Sequence, residues 1–143
     1  MTWLGPDEWN AVLLSLRVSF WATLVSLPLA IGVAVVLARS RMPGLQILNG
    51  LVHLPLILPP VVTGYLLLLT FGRRGPVGAF LAETFGIVFA FRWTGAALAA
   101  GIMAFPLMVR AIRLAVEAVD PKLEEAASTL GASRILVFLS VTL

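Results

Sequence analysis

Charged residues divide the sequence into long apolar runs. The first run carries no charge from Val18 to Ala38, which is about the ~20 residues that a helix needs to cross a bilayer. A second uncharged run extends from Met42 to Gly72, with His53 as its only ionisable side chain, and a third follows Arg92. These runs predict an all-α integral membrane protein with about three spans, at residues 12–38, 45–71 and 93–114.

The second predicted span is interrupted by prolines at positions 55, 59 and 60 and by a glycine at position 64. Each proline removes a backbone donor and clashes with the preceding turn, so this span cannot be one regular helix. Within lipid, irregular backbone persists only where it faces protein or a water-filled path. Two interpretations stay open, a purely structural bend or a translocation path lined by Pro59, Pro60, Thr63, Gly64 and Tyr65.

Two loops and a short apolar segment separate the spans. Basic residues, Pro43 and Gly44 predict a loop after span one, and Gly72–Gly78 predicts a second loop after span two. The apolar segment Phe85–Phe91 is too short to cross a bilayer, and it is predicted to be re-entrant or interfacial.

After Val119 the sequence becomes polar and amphipathic. Asp120 followed by Pro121 is a typical helix start, and Gly131 is a typical helix stop. The sequence therefore predicts a short helix between them, and Ser133 is expected to cap a further helix that becomes apolar. Together these form a segment at residues 120–143.

Composition excludes several classes of protein. The chain is 60% hydrophobic and 12% charged with a mean hydropathy of +1.03, whereas soluble domains carry about 25% charged residues. The net charge is +3, but the basic residues are scattered, so nucleic-acid binding is not expected. With one histidine, no cysteine and no acidic residue inside a span, we expect no catalytic residues and no metal site. A small structural or assembly membrane protein is a further alternative, against which the prolines of span two count, and a non-functional fragment is another.

The distribution of basic residues predicts the orientation. The N-terminal segment has Asp7 and Glu8 but no Lys or Arg, and no cleavable leader is recognisable, which favours an external N-terminus with span one as a signal anchor. Six basic residues then lie inside and three outside. Those inside are Arg39, Arg41, Arg110, Arg113, Lys122 and Arg134, and those outside are Arg73, Arg74 and Arg92.

The C-terminal segment carries a spaced motif: Glu-Ala-Ala, three residues, Gly, nine residues, an aliphatic residue, one residue and Leu. It is formed by Glu125, Ala126, Ala127, Gly131, Val141 and Leu143. This resembles the cytoplasmic EAA loop of ABC importer permeases. An ordinary surface amphipathic helix is the alternative interpretation.

The resemblance extends along essentially the whole chain, and it favours the molybdate family of these permeases over the related sulfate family. Three further sequence segments carry it. They are His53–Leu68, Gly72-Arg-Arg-Gly75 and Phe105–Arg113. The resemblance implies a type I importer-like fold in the bacterial inner membrane, with two permease copies enclosing a path for molybdate, tungstate or sulfate. A periplasmic protein would deliver the oxyanion, and cytoplasmic subunits would bind ATP and Mg²⁺, so the permease itself needs no cofactor. Such permeases have at least two further spans, so a partial transmembrane domain is expected over residues 1–143.

The resemblance also implies roles for individual residues. Coupling to the ATPase is expected at Glu124, Glu125, Ala126, Ala127 and Gly131. Arg17, Arg73 and Arg74 are candidates for attracting the anion. Alternatively, Arg17 extends to the outer interface, and the arginine pair is solvated or docks the binding protein. His53 is expected to form a packing hydrogen bond, with a role toward substrate or protons as the alternative.

Overall fold

A computed structural model describes residues 5–40 and 42–142 of the chain. The helices are α1 Pro6–Arg39, α2 Leu45–Ile57, α3 Pro60–Phe71, α4 Pro76–Phe85, α5 Trp93–Ala118, α6 Pro121–Thr129 and α7 Arg134–Val137, and α7 continues as a π-helical turn, Phe138–Thr142. Helices α1 and α5 are each long and apolar enough to cross a membrane, and α2 with α3 is a third candidate. The predicted all-helical membrane architecture is confirmed. Arg41 and Leu143, used above for orientation and for the motif, lie outside the described residues.

Helix α1 begins at Pro6 instead of near residue 12, where the predicted span started. Proline favours the first helical position, and the Glu8 carboxylate accepts a 2.7 Å hydrogen bond from the backbone N–H of Gly5. These two features extend the helix through the polar N-terminal residues. Its 34 residues reach roughly 50 Å, well beyond the ~30 Å hydrocarbon core.

Helices α1 and α5 pack side by side and run in the same direction. Arg17, in the first half of α1, lies over the ring of Trp93 at the start of α5. Further along both helices, Ser26 faces Gly101. Since sequence position rises together in the two helices, residues 40–92 must return from the end of α1 to the start of α5. If α1 and α5 both cross the membrane, the chain between them must cross it once in the opposite direction.

Small residues allow α1 and α5 to approach closely. The buried positions of α1 include Ala22, Ser26, Ala30 and Ala34, which are spaced four apart and therefore share one helix face. Gly101 of α5 lies against this face, and a Cβ added to it would stand 2.7 Å from the Ser26 hydroxyl oxygen. Close packing of small residues is a common means of helix association in lipid.

The buried core lies toward the C-terminal ends of α1 and α5, where α2 joins them. It contains Ala30, Ala34, Leu37, Val52 and Val109. Elsewhere many large apolar side chains are exposed, including Ile57 at 75% and Val61 at 82%. Apolar exposure on this scale requires lipid or other protein surfaces around the chain.

The prolines break the second predicted span between α2 and α3, whose axes differ by 110°. Helix α2 ends at Ile57, and α3 begins at Pro60. The carbonyl of Pro59 accepts the backbone N–H groups of Val62 and Thr63, which starts the new helix. The bend therefore follows from local backbone chemistry.

The region after α3 differs from the expected loop and apolar segment. Helix α4 begins at Pro76, inside the loop predicted for residues 72–78, and ends before Gly86, which adopts a left-handed φ of 66°. The apolar residues that follow form a non-helical connection, in which Phe89 packs edge-on against Phe71 at 5.9 Å. The prediction missed α4 because its Pro and Gly residues resemble loop sequence.

Candidate coupling segment and translocation path

The polar segment after α5 forms a short helix with well-defined ends. The Asp120 carboxylate accepts a 2.9 Å hydrogen bond from the Lys122 backbone N–H, which caps the first turn of α6. At the other end Gly131 adopts a φ of +84°, and the N–H of Ala132 bonds to the carbonyl of Ala127 at 3.2 Å. This is the left-handed helix stop that glycine favours. The start and stop predicted from sequence are confirmed.

A second turn of helix follows immediately. The Ser133 hydroxyl accepts a 3.3 Å hydrogen bond from the backbone N–H of Leu136, as the predicted cap requires. Four residues separate the end of α6 from the start of α7, so the two form a compact hairpin. An open cavity of about 390 Å³ lies between this hairpin and the end of α1, and it is lined by Arg39, Pro121, Glu124, Glu125, Ser128, Ala132, Val137 and Phe138.

Two consecutive glutamates of α6 have different surroundings. Glu124 forms a two-pronged ion pair with Arg39 at the end of α1, with Nη1 donating to Oε2 at 2.6 Å and Nη2 donating to Oε1. The Glu124 side chain is 17% exposed, and the Arg39 side chain is 44% exposed. Glu125 and Ala126 are exposed, whereas Ala127 is partly buried. Thus Glu124 ties α6 to α1, and Glu125 faces outward.

Sequence reasoning placed Arg39 and Glu124 at the same end of the molecule but did not pair them. They are 85 positions apart, and no local pattern connects them. The one hint that the two could meet was that both lie in segments predicted to be on the inner side of the membrane. The structure therefore assigns Glu124 an intramolecular contact that the predicted role in ATPase coupling did not include.

The residues predicted to line a path cluster at the break between α2 and α3. Pro59, Pro60 and Tyr65 are exposed, and Gly64 has open space beside its Cα. Thr63 is 6% exposed, and its hydroxyl lies 3.5 Å from the Pro59 carbonyl oxygen. The described chain leaves most of this surface uncovered, so it is available to a water-filled path or to another protein surface.

The three arginines considered for anion attraction have two different environments. The Arg17 guanidinium stacks over Trp93 with 4.1 Å from its central carbon to the ring centroid. Arg73 and Arg74 instead line an open cavity of about 770 Å³ that also includes Arg92. Sequence reasoning placed Arg92 outside but gave it no role, although it directly precedes α5.

His53 and Arg113 have local contacts. His53 Nδ1 lies 2.8 Å from the carbonyl oxygen of Asn49, one turn earlier in α2. Arg113 donates a 2.7 Å hydrogen bond to Glu117 on the next turn of α5. Among residues 5–40 and 42–142 no group of three or more His, Cys, Asp or Glu side chains is arranged to hold a metal.

Comparison with known proteins identifies the family. Residues 26–143 match the family described as binding-protein-dependent transport system inner membrane component. The chain is 61% identical over 140 residues to the molybdenum transport system permease protein ModB of Escherichia coli K12, covering 98% of this chain and 61% of that protein.

Two further relatives are informative. ModB of Haemophilus influenzae is 54% identical over 136 residues, which is 95% of this chain and 59% of that protein. The sulfate transport system permease protein CysT of Salmonella typhimurium is 36% identical over 139 residues, which is 97% of this chain and 50% of that protein. The chain thus spans about three fifths of the two molybdenum permeases. It belongs to the family of inner membrane components of binding-protein-dependent transport systems.

Proposed function

We propose that this chain is part of the permease subunit of an ATP-driven importer that moves molybdate across the bacterial inner membrane, with the N-terminus outside. The observation that carries the proposal is α6, a rigid helix with Asp120 at its start, Gly131 at its end and an outward-facing Glu125. A helix of this kind gives a cytoplasmic ATPase a rigid surface to bind and displace. The subunit itself acts in transport, and ATP with Mg²⁺ is bound and hydrolysed by the separate partner.

The contacts around α6 support a route by which its movement would reach the membrane. Helix α6 follows α5 after only Val119 and Asp120, so its displacement acts directly on that span. The ion pair between Arg39 and Glu124 links the same helix to α1. Because α1 and α5 pack closely on each other, the two spans move as one body. The proline break between α2 and α3 then allows α3 to change direction independently of α1 and α5.

The partners follow from the same arrangement. The exposed face near Pro59, Gly64 and Tyr65 suits a path enclosed between two permease copies, and the exposed apolar surface of α3 suits contact with the second copy and with lipid. A periplasmic binding protein would deliver the oxyanion at the opposite end from α6. Molybdate is favoured over sulfate because two relatives above 50% identity are named molybdenum permeases, whereas the sulfate permease CysT is 36% identical.

The test reverses the charge of Glu125 in the full-length subunit. We propose that the Glu125 carboxylate meets a basic group of the ATPase. Glu125→Lys brings a cation against that group, so we expect uptake of molybdate to be abolished while the subunit remains in the membrane. The matched control is Glu117→Lys, which makes the same charge change at an exposed residue of α5 and should retain most uptake. The measurements are molybdate uptake, membrane abundance and co-purification of the ATPase.

Gly131→Val gives a second readout at the same segment. A β-branched residue opposes the positive φ at this position, so the end of α6 should be displaced and uptake should fall together with ATPase co-purification. Normal molybdate uptake in both Glu125→Lys and Gly131→Val would reduce α6 to an ordinary surface helix and remove the basis of the proposal.

A further inference from the structure

A second cavity lies at the end of the molecule opposite α6, and its lining is strongly basic. The open space of about 770 Å³ is bordered by Leu68, Leu69, Gly72, Arg73, Arg74, Gly75, Ala90, Phe91 and Arg92. Three of these nine residues are arginines, and none is acidic. As far as the described residues form its wall, the cavity therefore combines three positive charges with no compensating carboxylate.

The three guanidinium groups are available to a ligand. Arg73, Arg74 and Arg92 are all exposed. In the part of the chain that the structure describes, none of the three side chains forms an ion pair or a side-chain hydrogen bond. By contrast, Arg17, Arg39 and Arg113 each have a side-chain partner. Three arginines without a side-chain partner among the described residues are thus grouped at this cavity.

Backbone geometry adds to the positive potential. The cavity wall includes Gly75, which precedes the first residue of α4, and Arg92, which precedes the first residue of α5. Within residues 5–40 and 42–142, no side chain caps either helix start. The backbone N–H groups of Gly75 and Arg92 themselves donate to the carbonyls of Gly72 and Phe89, so the backbone contribution is the positive end of the two helix dipoles, which favours an anion nearby.

Tight backbone packing holds the cavity wall in place. Gly78 of α4 is buried, and a Cβ added there would lie 2.1 Å from the carbonyl oxygen of Gly72. On the other wall, Phe91 adopts a φ of 55°, which turns the chain and directs it into α5 beginning at Trp93. The arginines therefore extend from a fixed turn and a fixed helix start.

We infer that this cavity is an outer collecting site for a small divalent oxyanion such as molybdate or sulfate. Planar guanidinium groups donate paired hydrogen bonds to tetrahedral oxyanions, and a concave basic surface raises the local anion concentration. The site does not select between molybdate and sulfate, because guanidinium forks recognise charge and oxygen geometry shared by both. Its place at the entrance of an importer rests on the proposed function, whereas its anion affinity does not.

The test uses the absence of cysteine from this chain. Ala90→Cys and, separately, Leu69→Cys place a thiol on the cavity wall of the full-length subunit in the assembled transporter, after any cysteines elsewhere in the subunit are replaced. The rates of reaction with anionic and cationic thiosulfonate reagents are measured without the binding protein. We expect the anionic reagent to react about tenfold faster than the cationic one. The same thiol at Thr84→Cys, an exposed position of α4 outside the cavity lining, should show a much smaller preference.

Charge neutralisation identifies the source of the preference. Changing Arg73, Arg74 and Arg92 together to Gln should bring the two rates within about twofold of each other, whereas Arg110→Gln near the other end of α5 should leave the tenfold ratio unchanged. Raising the salt from about 0.1 M to about 1 M should also reduce the ratio, since the Debye length shortens from ~10 Å to ~3 Å. Millimolar molybdate or sulfate alone should slow modification of the cavity thiols.

Equal rates for the two reagents in both cavity variants, or a ratio that the triple Gln change leaves intact, would overturn the inference. Protection by the binding protein without protection by free oxyanion would also overturn it, and would assign the cavity to protein docking. If the cavity behaves as expected but the full transporter does not accumulate molybdate, the anion site stands and the proposed function fails.

Discussion

The ion pair between Arg39 and Glu124 gives the most direct test of how α6 is connected to the membrane helices. Reversing one charge, as in Glu124→Arg or Arg39→Glu, replaces the attraction with a repulsion between groups that lie in contact. The double variant with both changes restores opposite charges in exchanged positions. If the pair transmits the movement of α6 to α1, the double variant should recover what each single variant loses.

The magnitude follows from the geometry of the pair. Exposed ion pairs contribute about 0.2–1 kcal/mol, and charge-assisted hydrogen bonds with less solvent contribute about 1.5–3 kcal/mol. Here two oxygens are engaged and the Glu124 side chain is 17% exposed, but the Arg39 side chain is 44% exposed. A value of about 1 kcal/mol is therefore appropriate, which corresponds to roughly a fivefold change in the docking equilibrium of α6. Repulsion in the single variants should make their defect at least that large.

The assay is the initial rate of molybdate uptake, normalised to subunit abundance, together with the ATP hydrolysed per molybdate transported. Each single reversal should reduce uptake at least fivefold and raise the ATP consumed per ion, and the double variant should return to within about twofold of the original rate. Arg113→Gln is the control, because its exposed pair with Glu117 contributes only about 0.2–0.5 kcal/mol and its loss should change uptake by less than about twofold. A double variant as inactive as the single variants, at normal abundance, would refute the proposed linkage.

Three further predictions concern topology, the path and helix packing. A reporter active only in the cytoplasm should function after Ser40 or Gly131 and fail after Gly75, and activity at Gly75 with silence at Gly131 would invert the orientation. Single cysteines from Pro59 to Tyr65 in the full-length transporter should react with water-soluble thiol reagents at rates that change with ATP, and uniform inertness would leave only a structural bend. Gly101→Val should reduce the membrane abundance of the subunit severalfold, because its side chain would collide with Ser26 and separate α1 from α5. Unchanged abundance on quantitative immunoblots would show that the two helices tolerate a wider separation.

The elements that sequence reasoning located are those with local physical causes. Uncharged runs of bilayer length identified α1 and α5, since lipid excludes charged side chains wherever the chain lies in the fold. Pro59 and Pro60 predicted the break because a missing N–H is a property of the residue itself. Asp120 and Gly131 predicted both ends of α6, since capping and left-handed backbone depend on the nearest few residues.

Sequence reasoning failed where local composition was ambiguous. Residues 72–78 contain three glycines and one proline among seven positions, which is typical of a loop. Nevertheless, α4 starts within them at Pro76. Close packing of Gly78 against the Gly72 carbonyl stabilises this helix start. Glycine acts here as a packing residue, and that role depends on a neighbouring surface that the sequence pattern does not contain.

By itself, then, the sequence determined a helical membrane chain, a broken second span and a capped polar helix after the third. Only the tertiary structure decided that α1 and α5 run in parallel contact, that Glu124 bonds to Arg39 while Glu125 faces outward, and that Arg92 shares a cavity with Arg73 and Arg74. The physical reason is the range of the interactions. Hydropathy and capping act over one helix or one turn, whereas these contacts join residues tens of positions apart and depend on the path of the whole chain between them.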